Sequence, residues 1–330
     1  MLLRLARVPA IKRMLELVVI PIGDVLLSPL VLLAALLLKL VRRAGVWRMS
    51  LAHAIFRRVG VFPIRDHYYE PMFHPRHLRR PLEEDRSLPG IDMNAEEQIS
   101  LLREFRYVEE LARLMKAAPT GFRFDNPNFG PGDAEYLYSM IRHFRPARIL
   151  EIGSGHSTLM MLEAINANRA ADPEYAADLT CVEPYEMPWL DSAQGITILR
   201  QRVEDIDIGH VRALRANDIL FMDSSHVIRP QGDVVREYLE FLPLLAPGTL
   251  VHIHDIFTPR DYPRRWMVDE VRLWNEQYLF EAFMCNNAVF RIIGALNYLS
   301  RHHRAAANAA FPAMRALPHC DPGSIWLRRS

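Results

Sequence analysis

The chain of 330 residues exceeds one average domain and gives ample length to bury a core, which suits one α/β domain with extensions. Lysine plus arginine number 40 against 39 for aspartate plus glutamate, a formal charge of +1 that provides no global field for attracting nucleic acid. Cys181, Cys285 and Cys320 lie far apart, without the close pairs of a zinc site or a disulfide framework, and so fit a reducing compartment.

The amino terminus departs from this ordinary picture. Leu15 to Leu38 is mostly Leu, Val, Ile and Ala, with Arg4, Arg7, Lys12 and Arg13 before it and Lys39, Arg42, Arg43 and Arg48 after it. About 20 apolar residues in a helix cross a ~30 Å hydrocarbon core. Pro21, Gly23, Asp24 and Pro29 interrupt the run, and an aspartate near mid-membrane costs roughly 2.5–3.5 kcal/mol. A span from Val25 to Val41 avoids it. No small-residue cleavage site follows, which argues against a cleaved signal. Residues 1–45 are therefore expected to attach to a membrane through residues 15–41, with the catalytic domain on the cytoplasmic face; the alternative is a helix packed on the enzyme. Basic residues on both sides leave the orientation weakly specified, although Arg57 and Arg58 add weight downstream.

Residues 46–130 read as an irregular and helical extension. Val46 to Gly90, rich in Arg, His, Pro and aromatics, shows no sustained period. Asn94 and Glu97 have capping-box spacing, and Leu101, Leu102, Phe105, Val108, Leu111, Leu114 and Met115 recur at helical intervals, predicting one long amphipathic helix. Phe122 to Gly132 is a loop, after which Asp133 is expected to cap a helix to about Phe144. From Pro146, short apolar runs alternate with helical stretches: Arg148–Ile152, Asp178–Glu183, Ile196–Arg200, Asp218–Asp223, Leu250–His254, and a late pair near Phe280–Cys285 and Ala288–Ile293. These predict a doubly wound, mostly parallel sheet over residues 131–296. The tail, 297–330, reads as a peripheral helix and loose end.

The central motif is Glu151-Ile-Gly153-Ser154-Gly155-His-Ser157-Thr158, a strand entering a glycine turn and then a helix. The glycines permit a tight turn and close approach of a ligand. Nicotinamide dinucleotides use a related turn. Three features favour S-adenosylmethionine instead: Glu151 ends the strand, Thr158 replaces the third glycine, and more than a hundred residues precede the motif. A pyrophosphate needs a free helix N-terminus, whereas S-adenosylmethionine presents an amino group that a carboxylate can hold. Glu183 ends the second strand, where an acid can take both ribose hydroxyls. Asp223 is followed by Ser224, Ser225 and His226, and the fifth strand ends His252-Ile-His254-Asp255.

On these residues, and on Asp218-Ile-Leu-Phe-Met-Asp223-Ser-Ser-His226 and Val251-His-Ile-His-Asp-Ile256, the chain resembles the class I S-adenosylmethionine-dependent methyltransferases. The narrower likeness is to methyltransferase family 24, related to catechol O-methyltransferase and to cephalosporin-hydroxylase-like proteins; it covers about half the chain. The resemblance implies a Rossmann-like seven-stranded sheet whose last strand is antiparallel, with cofactor and acceptor at the strand carboxyl ends. Glu151, Gly153, Ser154, Gly155 and Ser157 would serve the amino-acid part of the cofactor, Glu183 the ribose, with Asp223 also in contact.

Adjacent strand ends open on one crevice, so Asp223, His226, His254 and Asp255 are the candidate catalytic residues. Two chemistries are open. A divalent metal, magnesium in the catechol-type enzymes, would be held by Asp223, Asp255 and His254 and lower the pKa of an acceptor hydroxyl; alternatively His226 or His254 acts as a general base. The catechol-type pattern also places an Asn at the fifth strand, and here Ile256 stands after Asp255. His252 is a weaker candidate and a possible core residue. Arg260 to Pro263 would lie over the acceptor, Trp266 and Trp274 suit packing, and Asn128 and Phe129 could close over the cofactor. The expected activity is O-methylation of a small-molecule, glycan or lipid-linked acceptor. Its rivals are an oxidoreductase or hydroxylase-like enzyme on the same scaffold, and a membrane-tethered binding protein without turnover.

Overall fold

A computed structural model describes residues 13–185 and 187–330; Arg4, Arg7 and Lys12, expected to flank the apolar run, lie outside the described residues. The chain divides into two units, Met1–Arg79 and Arg80–Ser330.

In the first unit a π turn at Leu15–Val19 continues into helix α1 (Ile20–Ala44). Together they make a 30-residue helix, Leu15–Ala44, long and apolar enough to cross a membrane. Among the described residues, none of its most apolar stretch is buried. Pro29 is carried inside α1, and Ser28 Oγ donates to the Asp24 carbonyl at 2.7 Å. Helix α2 (Ser50–Val59) corrects the expectation of irregular chain after Val46. Leu51, Ile55 and Val59 recur every fourth residue, a helical interval that the surrounding Arg and His obscure. Gly60, left-handed at φ 76, caps it.

The second unit begins with two helices, α3 (Ala95–Glu104) and α4 (Val108–Leu114), where one long helix was expected. The break is tertiary. Phe105 turns extended and buries its ring edge-on against Tyr136, 5.5 Å between centroids, and against Phe311. Nor does Asn94 form the capping box, because its side chain donates to Glu97 and to the Ile292 carbonyl instead of accepting from the helix. Phe122 to Gly132 is loop, as expected, and helix α5 (Asp133–Phe144) follows. Asp133 does not cap it: its carboxylate accepts from the Gly323 and Ser324 N–H groups, and Glu135 supplies the N-terminal bond to Gly132.

Strands β1 (Arg148–Ile152), β2 (Asp178–Val182), β3 (Ile196–Leu199), β4 (Ile219–Met222), β5 (Leu250–Ile253), β6 (Phe290–Ala295) and β7 (Ile325–Arg329) form one sheet, ordered β3-β2-β1-β4-β5-β7-β6. The first five are parallel and β7 runs antiparallel to both β5 and β6. Helix α6 (His156–Ala171) crosses from β1 to β2. β1, β2, β4 and β5 bury nearly every side chain, as parallel strands covered on both faces must. Alternate residues serve opposite cores: Ile149 and Phe221 face one, Leu150 and Met222 the other.

Two late expectations are corrected. Phe280–Cys285 is not a strand but the end of helix α7 (Glu276–Met284), in which Glu276, Phe280, Glu281 and Met284 are buried at helical spacing. The tail is not loose: helices α8 (Leu296–His302), α9 (Arg304–Ala310) and α10 (Pro312–Ala316) lead to β7, which inserts between β5 and β6. Trp326 of β7 is completely buried against Tyr136 and His252. Trp326→Ala should therefore lower unfolding stability by about 3–5 kcal/mol, measured by chemical denaturation; a loss under 1 kcal/mol would mean that β7 contributes little to the sheet.

Candidate active site at the strand carboxyl ends

The turn after β1 is fixed by steric crowding. Gly153 has φ +79, and a Cβ placed there would lie 2.0 Å from the Asp223 carbonyl oxygen at the end of β4. Gly155 has nothing within 4 Å of where its Cβ would be, so its openness faces the cavity. The Gly155 N–H donates to Thr158 Oγ1 at 3.1 Å.

Glu151 is completely buried and accepts from Ser157 Oγ and Thr158 Oγ1, both at 2.7 Å, with the Cys181 thiol at 3.2 Å. Burial raises its pKa to about 7, against the opposing pull of those three hydrogen bonds. Neither Glu151 nor its fixed carboxylate lines a cavity; it ties the turn to the first turn of α6. Glu183, in contrast, faces two cavities, and its oxygens accept from the Ser154 and Tyr185 N–H groups at 3.2 and 2.9 Å. Each carboxylate oxygen retains a lone pair for a further donor.

The two cavities, of 590 and 600 Å³, meet at Gly153, Glu183 and Asp223. The first runs toward Val203, Glu204 and Gln231. The second is walled by Asn128, Phe129, Ser154, His254 and the loop after residue 264. Asn128 and Phe129 line this cavity, whereas the loop after the fifth strand is arranged differently from expectation. Arg260, Asp261 and Tyr262 are buried and tied to other groups, Arg260 to Asp321 and Asp261 to Arg80 and Tyr278. Trp266 and Trp274 line the cavity in their place, with the Arg272 guanidinium 4.5 Å from each ring. Val271 and Leu273, on either side of Arg272, both have positive φ. These ring and guanidinium contacts were hidden from the sequence because nothing in a lone Trp distinguishes a wall from a core.

At the floor stands His226. Its Nδ1 is 2.8 Å from the buried Glu276 carboxylate, and its Nε2 is 3.4 Å from both Asp223 Oδ1 and Asp255 Oδ2. Burial lowers the His226 pKa, but the hydrogen bonds to Asp223 and Glu276 and the charges of Glu276 and Asp255 outweigh it and hold the pKa well above 6.5. For Asp223, burial is outweighed by the charges of His254 and His226, and the carboxyl falls to about 2. Oxygen and nitrogen donors of Asp223, His226 and Asp255 lie within 4.8 Å of one another, a set able to hold a metal ion. The expected third ligand, His254, is not in that set. Its two ring nitrogens are buried without a hydrogen-bond partner and its ring is edge-on to Phe129. His252 is a core residue, stacked 3.8 Å from Phe221 and bonded to Ser324; burial and the neighbouring charge of His254 hold its pKa well below 6.5. Glu276 escaped sequence analysis because the expected strand at Phe280–Cys285 left it outside any element, whereas it opens helix α7. Both His226 (φ 59) and Asp255 (φ 57) have left-handed backbones, a costly conformation that persists where surrounding structure enforces it.

A doubly wound sheet with a glycine turn, a strand-end acid and a crevice outside its carboxyl ends is the architecture on which nucleoside cofactors bind in open α/β sheets. Residues 150–256 match a family described as a methyltransferase domain. An uncharacterized protein of Archaeoglobus fulgidus is 30% identical over 208 residues, covering 57% of this chain and 88% of that one. Similar solved structures include an O-methyltransferase from Bacillus cereus in complex with S-adenosylhomocysteine (14% identity, TM-score 0.39, 70% of this chain and 91% of that one). Another is the O-methyltransferase TomG from Streptomyces achromogenes in complex with S-adenosylmethionine (15%, 0.38, 68% and 97%). The chain belongs to the class I S-adenosylmethionine-dependent methyltransferases.

The elevated pKa of Glu151 has a consequence for stability. Between pH 4.5 and about 7 the folded state binds a proton that the unfolded chain releases, so stability is full below pH 4.5 and falls as pH rises through 7. Glu151→Gln should flatten that part of the thermal stability profile, a relative gain of roughly 3 kcal/mol by pH 8. A profile unchanged in slope would show that Glu151 titrates normally.

Proposed function

We propose that this methyltransferase acts on an acceptor hydroxyl held beside Asp223, His226 and Asp255, with the cofactor lying across the two joined cavities. The observation that carries this reading is the cluster of two carboxylates and one imidazole opening on the second cavity beside the glycine turn.

The residues fit S-adenosylmethionine. Val203, Ile152 and Val182 offer apolar contact for a purine in the first cavity, with Glu204 and Gln231 at its edge. Glu183 takes the ribose hydroxyls at the junction. Ser154 Oγ, buried without a partner, and Asp223 are placed for the amino-acid part, while Glu151 acts from behind by fixing Ser157 and Thr158. Glu183→Ala, losing two charge-assisted hydrogen bonds, should weaken S-adenosylhomocysteine binding by about 2–3 kcal/mol in calorimetric titration; unaltered affinity would move the ribose elsewhere.

The cluster also fits a hard divalent cation such as Mg²⁺ or Mn²⁺. The two carboxylates suit such ions, the imidazole favours the transition metal Mn²⁺ over Mg²⁺, and Glu276 on His226 Nδ1 is the outer carboxylate that aims a ligating imidazole. When bound, the cation would supply Lewis acidity, lowering the pKa of the acceptor hydroxyl. The protein's own part is positioning. Glu276 aligns His226, the left-handed backbones of His226 and Asp255 turn both side chains inward, and Phe129, Trp266 and Trp274 exclude water. Methyl transfer breaks the sulfonium carbon bond as the acceptor oxygen forms its own, and the hydroxyl proton leaves toward the Asp223 and Asp255 carboxylates. Alignment supplies most of the rate in such a displacement. A 600 Å³ cavity accepts a small molecule or the end of a glycan or lipid-linked chain.

The exposed apolar helix Leu15–Ala44 supports attachment to a membrane, with the catalytic unit on the cytoplasmic side where the methyl donor is made. For the cluster, Asp223→Asn and Asp255→Asn should each abolish the Mn²⁺ signal change seen by electron paramagnetic resonance on titration. Asp255→Asn should leave S-adenosylhomocysteine affinity within a few-fold. Mn²⁺ binding retained at wild-type strength by both variants would remove the metal from this site.

A further inference from the structure

We propose that α2 is an in-plane membrane helix, lying on an anionic lipid surface immediately after α1 with Leu51, Ile55 and Val59 in the acyl boundary. This rests on the membrane attachment through α1 given above.

The first observation is an apolar stripe without a partner. Leu51, Ile55 and Val59 are exposed by 81, 59 and 67%, and Trp47, in the turn between the helices, by 76%. They are successive residues of one helix face, i, i+4 and i+8, so they form a continuous strip rather than scattered surface residues. The helix turns Ala52, His53 and Phe56 partly inward, Phe56 meeting Phe62 edge-on at 6.0 Å. The hydrophobic strip is thus the face left over after the unit has packed itself.

The second observation is charge. Residues 39–58 contain Lys39, Arg42, Arg43, Arg48, Arg57 and Arg58 and no aspartate or glutamate. Glu70 neutralises Arg42, with Arg65 beside it at 3.6 Å. Among the described residues no carboxylate pairs with Lys39, Arg43, Arg48, Arg57 or Arg58. Arg48 instead lies 4.5 Å from the Trp47 ring, and a Trp beside a cation suits the headgroup layer. An apolar strip flanked by free cations fits a surface carrying both acyl chains and negative charge, and basic clusters beside a membrane helix gain about fivefold in binding per charge on anionic lipid.

The third is continuity. α1 ends at Ala44, Gly45 turns the chain at φ 93, and α2 starts at Ser50, so only five residues, 45–49, separate the helix that carries the strip from the apolar helix. A second copy of the chain would cover the strip too, but would leave five like charges facing their equivalents. The lipid surface is the occupant that satisfies strip and charge together.

The test uses the full chain with Cys285→Ser and Cys320→Ser, a nitroxide on Ile55→Cys or on Arg57→Cys, and vesicles of phosphatidylcholine alone or mixed equally with phosphatidylglycerol. The Ile55 label is expected to be at least fivefold less accessible to a water-soluble nickel chelate than the Arg57 label on mixed vesicles, with the contrast shrinking on phosphatidylcholine. Arg57→Gln with Arg58→Gln should shift the ratio of shielded to exposed Ile55 label about thirty-fold toward exposed. Vesicles that float with the protein while the Ile55 label stays fully accessible would overturn the in-plane helix and leave the α1 attachment standing. Protein that fails to float overturns both. Shielding accompanied by short label-to-label distances between copies would assign the strip to self-association and overturn the proposal.

Discussion

The site is built around the approach of two strand ends. Asp223 N–H donates to the Ile152 carbonyl at 3.0 Å and Gly153 N–H to the Val182 carbonyl at 3.1 Å, so β1 is gripped on both sides at the residue where its chain turns. The Asp223 carbonyl then occupies the space where any side chain at position 153 would stand. One contact therefore sets the cofactor turn against the acidic cluster. The glycine at 153 is demanded by the protein's own backbone, while the one at 155 leaves room in the cavity.

Charge around His226 obeys a second constraint. Asp223, Asp255 and Glu276 converge on a single imidazole, leaving an excess of negative charge in a partly buried site even with that ring protonated. A raised pKa disfavours His226 taking a proton from an acceptor and so weighs against a general-base role for it. A divalent cation would relieve the same excess. His254 shares in this balance: its charge lowers the Asp223 pKa and its Nδ1 lies 3.9 Å from Asp255 Oδ1, although neither ring nitrogen makes a hydrogen bond.

Much of this was legible in the sequence because parallel strands buried on both faces appear as short, mainly apolar runs, and β1 was bounded correctly from such a run leading into the glycine turn. The acids at strand ends could be placed for the same reason. What escaped was decided by distant contacts. Phe105 breaks a helix that its local period would continue, because its ring is needed between α5 and the C-terminal helices. Glu276 and Glu281 hide in a helix whose buried face carries acids, each with a remote cation, His226 and Arg86. β7 was unreadable because Ile325-Trp-Leu-Arg-Arg is short and ends in charge, and only its place between β5 and β6 makes it a strand. The choice of His226 over His254 for the cluster rests on a left-handed turn that no residue pattern announces.

That left-handed geometry has an evolutionary consequence. His226 and Asp255 each carry a Cβ in a region of backbone space that costs an L-residue roughly 1 kcal/mol or more. Glycine at 255 would release that strain and remove one of the mutually repelling carboxylates, whereas at 226 it would leave the buried Glu276 carboxylate without the imidazole it faces. Position 255 is thus the one whose loss is downhill for folding. On the reading proposed above, descendants of this chain freed from turnover would drift toward glycine or asparagine at position 255 while the rest of the sheet stayed intact, and an Asp255 kept across relatives would mark lineages still under selection for catalysis.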